Sequence, residues 1–253
     1  MSILIEESAN WIRQAKHITA FTGAGISVES GIPPFRGNNG LWNKYDPTIL
    51  DLNYFYNNME KSWLAVKEIF YDYWDKAEPN YAHNFLAELE KNYNLNSVIT
   101  QNIDGLHQKA GSKKVYEFHG TLKDGVCLQC NEKFQMKDIN LDVLPPKCKK
   151  CNGSIKPDFI FFGEGIPREA YKGSFDESDI ADLFIIIVTT GEVMPASLVP
   201  RYAKGNGAKI IEINPERSLF TEEVTDIFLE GKAVDICKRL QKELEKNKKN
   251  RRK

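Results

Sequence analysis

Four of the five cysteines in this 253-residue chain come as two spaced pairs, Cys127-x2-Cys130 and Cys148-x2-Cys151. Two residues between thiolates let both sulfurs of a knuckle reach one ion, and two knuckles complete a tetrahedral four-thiolate zinc site. Such a site leaves no open position for water, so the zinc it implies is structural, one per chain. Leu128-Gln129 and Lys149-Lys150 suit the short turns, and Asn152-Gly153 follows the second pair. Cys237, in a C-terminal helical pattern, reads as a packing residue.

A second set of residues follows apolar runs. Gly23-Ala24-Gly25 comes after His17–Thr22, where bare backbone can approach a phosphate; a plain tight turn has the same look, and Val28 replaces a third glycine. His119 ends the run Val115–Phe118 and has a pKa suited to proton transfer, although a structural histidine fits there too. Asn102 and Asp104 set an amide and a carboxylate on one loop, a pair able to hold a carboxamide or to make an Asx turn and helix cap. Asn214 and Glu216 lie just past Lys209–Ile213, placed for ribose hydroxyls, and Thr189-Thr190-Gly191 ends another run.

These positions need a scaffold. Ile5, Ala9, Ile12 and Ala15 have helical spacing, and 82–92 and 196–204 read as further helices. Short strands fit 17–22, 97–100, 115–118, 183–188 and 209–213. Alternation of this kind predicts an α/β fold with a mostly parallel, doubly wound sheet and a nucleotide at the strands' carboxyl ends. Two stretches break the alternation: an aromatic-rich excursion over 32–80, and 122–157, which holds the cysteines and little core of its own. Both read as insertions that together make a second, smaller lobe, with a ligand cleft between the lobes.

Composition excludes other classes. A net charge of −1 argues against a sequence-specific nucleic-acid binder, and 42% hydrophobic residues argue against wholesale disorder. The longest apolar run, Leu183–Val188, is far short of the roughly 20 residues of a membrane helix. The amino-terminal residues lack a secretory pattern, so the expected location is cytoplasmic. The tail over 246–253 carries six positive charges and reads as a solvated helix end.

Taken together, the segments Gly23–Pro33, Phe35-Arg36-Gly37, Thr100–Asp104, His119-Gly120, the cysteine pairs, Phe162-Gly163-Glu164 and Ile213–Glu216 resemble the sirtuins, NAD-dependent protein lysine deacylases. The resemblance runs in order from about residue 5 to residue 240. It implies a Rossmann-like large domain (1–34, 81–121, 158–245), with a helical (35–80) and zinc (122–157) small domain, and NAD bound between them. It places Gly23, Ala24 and Gly25 at the pyrophosphate and Pro33, Phe35, Arg36 and Trp42 on the cofactor loop. Gln101 and Asn102 reach the nicotinamide ribose, and Ile103 and Asp104 hold the carboxamide. Thr189, Thr190, Asn214, Glu216 and Ala233 complete the cofactor set. An acyl-lysine peptide pairs as a strand between Phe162-Gly163-Glu164 and the segment around Val193. The implied reaction has His119 as general base and Asn102 beside it. It yields free lysine, nicotinamide and O-acyl-ADP-ribose. An NAD glycohydrolase or ADP-ribosyltransferase, and a non-catalytic NAD-binding module, are the rival readings.

Pro34 stands where the family usually has Asp, which stiffens the cofactor loop. Val188-Thr189-Thr190 replaces Gly-Thr-Ser, adding a branched side chain at a bare position that can crowd the adenosine side. Glu192 replaces a more apolar residue near the substrate strand, where it can favour basic flanking residues or face solvent. Family members that remove dicarboxylic acyl groups carry Tyr-x-x-Arg; here the nearest match is Tyr71-x-x-Trp74, and no arginine occurs between Arg36 and Arg168. The expectation is a neutral acyl group, acetyl first and longer chains second.

Overall fold

Nine strands form two sheets in the computed structural model, which describes residues 1–37, 40–72 and 76–250. They are β1 (Ile18–Thr22), β2 (Leu95–Thr100), β3 (Val115–Glu117), β4 (Gly120–Cys127), β5 (Lys133–Gln135), β6 (Ile155–Phe159), β7 (Leu183–Ile187), β8 (Lys209–Asn214) and β9 (Ile227–Glu230). The larger sheet has the order β3-β2-β1-β7-β8-β9 with every pair parallel. β1 and β7 are buried along their whole length, as strands covered on both faces must be.

Alternating side chains feed two cores. Ile18, Ala20, Val98, Ile185 and Ile211 point to one face, covered by α1 (Ser2–Gln14), α4 (Tyr81–Asn92) and α9 (Ala233–Asn250). Phe21, Ile99, Phe184, Ile186 and Ile210 point to the other, beneath α6 (Arg168–Ile180) and α7 (Leu198–Gly205). Five of the six strands, α1, α4 and α7 agree with the sequence pattern within a few residues; β9 escapes it, being four residues long with only Ile227 and Leu229 buried. Helix α6 escapes the apolar-period reading because its buried positions are Ala170, Ser174, Glu177 and Ser178, two of whose hydroxyls bond back to the helix's own carbonyls.

The two insertions share one core. α2 (Leu52–Asn57), α3 (Met59–Val66) and the turn Lys67–Tyr71 bring Phe55, Trp63, Val66 and Phe70 against Leu122, Met136, Phe159 and Phe161. These last four belong to or follow the antiparallel sheet β5-β4-β6. Trp63 Nε1 donates to the Ile155 carbonyl at 2.8 Å, and the Tyr71 hydroxyl donates to the Leu122 carbonyl at 3.1 Å. Two backbone bonds then tie Leu50 and Leu52 to Phe162. Tyr73 and Trp74, and 251–253 of the basic tail, lie outside the described residues. Among the described residues no helix is long and apolar enough to cross a membrane.

Candidate active site and metal centre

Parallel register sets the site. Thr22 pairs with Thr100 and with Ile187, and Thr100 pairs with Glu117. Four strands therefore end on one line, from which Gly23, Gln101, Phe118 and Val188 depart together. This edge is where an α/β sheet binds its ligand.

Gly23 and Gly25 are needed there for a close approach. A Cβ on Gly23 would lie 2.7 Å from Thr189 Cβ, and one on Gly25 would lie 1.9 Å from Val188 Cγ1. Val188 itself has φ +43°, a left-handed conformation costly for a β-branched residue. The valine side chain fills the space over Gly25.

Ala24, Pro33, Phe35 and Ile103 line a pocket of about 40 Å³ together with the polar residues Ser27, Asn102 and Asp104. Ser27 Oγ donates to Asp104 Oδ2 at 2.6 Å and accepts from Asn102 Nδ2 at 3.2 Å. His83 Nδ1 accepts the Asn80 N–H, which leaves Nε2–H to donate to Ser27 Oγ at 3.4 Å. Asp104 Oδ1 also caps the short helix α5 (Leu106–Lys109) by accepting the Leu106 N–H at 3.0 Å. The turn reading of the Asn102–Asp104 loop is thus realised, and the same loop holds a buried amide and carboxylate on Ser27 Oγ. Burial pushes the Asp104 carboxyl above its usual range. Ser27, His83, Thr22 and Thr100 were not legible as site residues, because Ser, Thr and His carry no pattern of their own. Only the fold brings them near the pocket.

His119 sits half-buried at the end of β3. Its Nδ1 donates to the Gln101 carbonyl at 3.0 Å, which fixes the tautomer and leaves the Nε2 lone pair unprotonated. Burial lowers its pKa, and the bond to Gln101 partly restores it. The Ile160 N–H holds the His119 carbonyl at 2.9 Å. Gly120 follows with φ +72°, and a Cβ there would lie 2.3 Å from the Asp158 carbonyl oxygen.

Thr189 joins two candidate contacts, accepting Gln101 Nε2 on its hydroxyl and Asn214 Nδ2 on its carbonyl, each at 3.0 Å. Arg36 meets Glu192 at 3.4 Å, and Thr190 Oγ1 donates to the same carboxylate at 3.2 Å. Glu192, itself exposed, thus pairs with Arg36. The Trp42 ring lies between Phe35 and Phe162, with centroid distances of 5.3 and 6.3 Å. Glu216 is exposed and Ala233 is buried in the sheet core. Phe162 and Gly163 are exposed, Val193 is half-buried, and the Glu164 side chain turns inward.

The four cysteine sulfurs lie within 4.8 Å of one another. Cys127 and Cys151 are 3.4 Å apart and Cys130 and Cys148 3.7 Å. Sulfurs bound to zinc at about 2.3 Å stand about 3.8 Å apart in a tetrahedron, so the set fits the ion. The knuckles match: the Gln129 and Lys150 N–H groups each point to a sulfur at 3.4 Å, and Asn131 and Asn152 close the turns at φ +57° and +60°. Cys237 is fully buried away from them, and burial raises its thiol pKa.

A parallel sheet with a phosphate-type glycine turn, a tautomer-fixed histidine and a four-cysteine ribbon defines a dinucleotide-binding α/β protein with a structural metal module. The Sir2 family profile matches residues 23–195. An NAD-dependent protein deacylase of Aquifex aeolicus is 42% identical over 231 residues, covering 88% of this chain and 93% of that one. NAD-dependent protein deacylase 2 of Pyrobaculum aerophilum is 38% identical over 242 residues, covering 94% and 95%. A solved Sir2 structure with a p53 peptide and NAD+ superposes with a TM-score of 0.88 at 33% identity, covering 94% of this chain and 98% of that one. The chain belongs to the Sir2 family, the sirtuins.

Two outcomes follow from this geometry. Metal analysis should find about one zinc per chain, and a strong chelator should remove it with loss of thermal stability; a metal-free chain of equal stability would contradict the assignment. Burial pushes the fully buried His83 down to about 4, below the roughly 6.5 of an unfolded chain. The unfolded chain then takes the proton first on acidification. The stability contributed by neutral His83 is present above about pH 6.5 and is lost towards pH 4, on the order of 3 kcal/mol. Urea midpoints measured across this range should fall with pH, and His83→Gln should flatten the fall.

Proposed function

We propose that this chain is an NAD-dependent protein lysine deacylase, most readily a deacetylase, acting on acyl-lysine peptides in the cytoplasm. The observation that carries this reading is His119, with Nδ1–H bound to the Gln101 carbonyl and Nε2 bare, at the strand ends beside the Ser27–Asn102–Asp104 cluster.

The reading divides the chain into a Rossmann-like part (1–34, 81–121, 158–245) and a small part (35–80, 122–157). NAD, as co-substrate, supplies an activated ribose with nicotinamide as its leaving group. Asp104 and Ile103 hold the carboxamide end, and Asn102 and Gln101 reach the adjoining ribose. Gly23, Ala24, Gly25, Thr189, Thr190 and Asn214 line the phosphate and adenosine side. His119 Nε2 accepts the proton of a ribose hydroxyl, and its lowered pKa keeps the ring neutral and free to do so. Phe35, Ile69 and Phe70 keep water from the pocket. The peptide pairs by main chain between Gly163-Glu164 and the Val193 segment; acyl-lysine, NAD and one water, admitted after nicotinamide has left, give lysine, nicotinamide and O-acyl-ADP-ribose. Cys127, Cys130, Cys148 and Cys151 hold zinc away from the chemistry.

The acyl preference rests on Tyr71. Its hydroxyl is occupied by the Leu122 carbonyl, and burial raises its pKa, so it offers no site for an acyl carboxylate. NAD consumption with an acetyl-lysine peptide should fall by about 10²–10⁴ in His119→Ala. Succinyl-lysine should react far more slowly than acetyl-lysine. Full activity of His119→Ala, or nicotinamide release that ignores the peptide, would overturn the reading.

A further inference from the structure

Lys156 is a buried cation with no part in the chemistry above. Its side chain is 7% exposed, and each of its three N–H groups has a partner. Nζ donates to the Pro157 carbonyl at 2.9 Å and the Phe159 carbonyl at 2.8 Å, and it meets Glu164 Oε2 at 2.9 Å. The ammonium also lies 4.6 Å from the centroid of the Phe161 ring. Burying an ammonium is costly unless every proton is used, and here every proton is.

The partner that matters is Glu164. The same Oε2 accepts the Phe161 N–H at 2.9 Å, while the Glu164 N–H returns to the Phe161 carbonyl at 3.0 Å. This reciprocal pair folds Phe161–Glu164 into a closed turn about Gly163, whose φ is +85°. The turn leaves the backbone of Gly163 and Gly165 without intramolecular hydrogen bonds among the described residues. The backbone of Glu192 and Met194 is equally unpaired among the described residues. Glu164 and Gly165 line one groove together with Pro195, the residue after Met194. An extended peptide needs two such edges held at a fixed spacing.

We propose that Lys156 is the positioning residue of the peptide-binding edge, holding Glu164 inward so that the backbone around Gly163 faces the substrate strand. The inference rests on the deacylase reading and deepens it: Glu164 contributes its main chain to the substrate, and its side chain belongs to the scaffold. Lys156 acts on the peptide and not on NAD, because its partners all lie on β6 and the turn that follows.

The test compares wild type with Lys156→Met and Lys156→Arg. Binding of a fluorescent acetyl-lysine peptide is read by anisotropy, NAD binding by calorimetry, and KM and kcat by nicotinamide release. Methionine keeps the stem and removes the charge, and the partly exposed Glu164 is then free to turn to water. Peptide affinity should fall about tenfold or more with a matching rise in peptide KM, as for loss of a charged hydrogen bond. The NAD Kd should stay within about twofold. Arginine should restore peptide affinity to within about threefold. Wild-type peptide affinity in Lys156→Met would overturn the inference, as would a parallel loss of NAD affinity, which marks a merely structural role. If the methionine variant does not fold, Lys156→Gln takes its place under the same criteria. A wild type that binds NAD but no acetyl-lysine peptide overturns the deacylase reading itself and this inference with it.

Discussion

Register in a parallel sheet decides whether side chains on four separate strands can act on one molecule. In this chain Thr22, Thr100, Glu117 and Ile187 lie side by side. The glycine turn, the Asn102–Asp104 loop, His119 and Thr189 are therefore neighbours although they span more than 160 positions of sequence. A one-residue slip in β2 would move its apolar side chains to the wrong face and take the Asn102 loop with them. The main-chain ladder is thus the frame of the chemistry. The hydroxyls of Thr22 and Thr100, joined at 2.8 Å, bind β1 to β2 at the point where the site begins.

A second frame runs through β6. Its first residue, Ile155, packs against Cys127 and Cys148 and receives the Trp63 indole, and its next, Lys156, holds the turn at Glu164. Zinc ribbon, helical insertion and the Phe161–Glu164 turn are consequently one connected body. A metal site with no open coordination position can still shape its surroundings in this way, through the strand it anchors.

Much of this was legible in the residues. Cysteine spacing carries the metal site because two-residue knuckles have few other uses, and the apolar runs carry the sheet because buried parallel strands leave little freedom of composition. The Gly23-x-Gly25 turn and His119 gained meaning only from order along the chain. What stayed hidden has a common cause. Ser27, His83 and Lys156 act through partners 50 or more positions away or through a turn that local pattern does not specify. Helix α6 is buried by small and polar residues, so it lacks the apolar stripe that announces a helix. Glu164 carries no local sign that its partly exposed side chain bonds Lys156 and the Phe161 N–H.

Gly25 and Val188 occupy one shared volume, which ties the histories of two positions far apart in sequence. While valine stands at 188, even a methyl group at 25 has no room. The left-handed backbone at 188 would itself accept glycine with less strain than valine. Change at this edge is therefore ordered: position 188 must shrink before position 25 can grow. Each of the two residues sets which substitutions the other can tolerate.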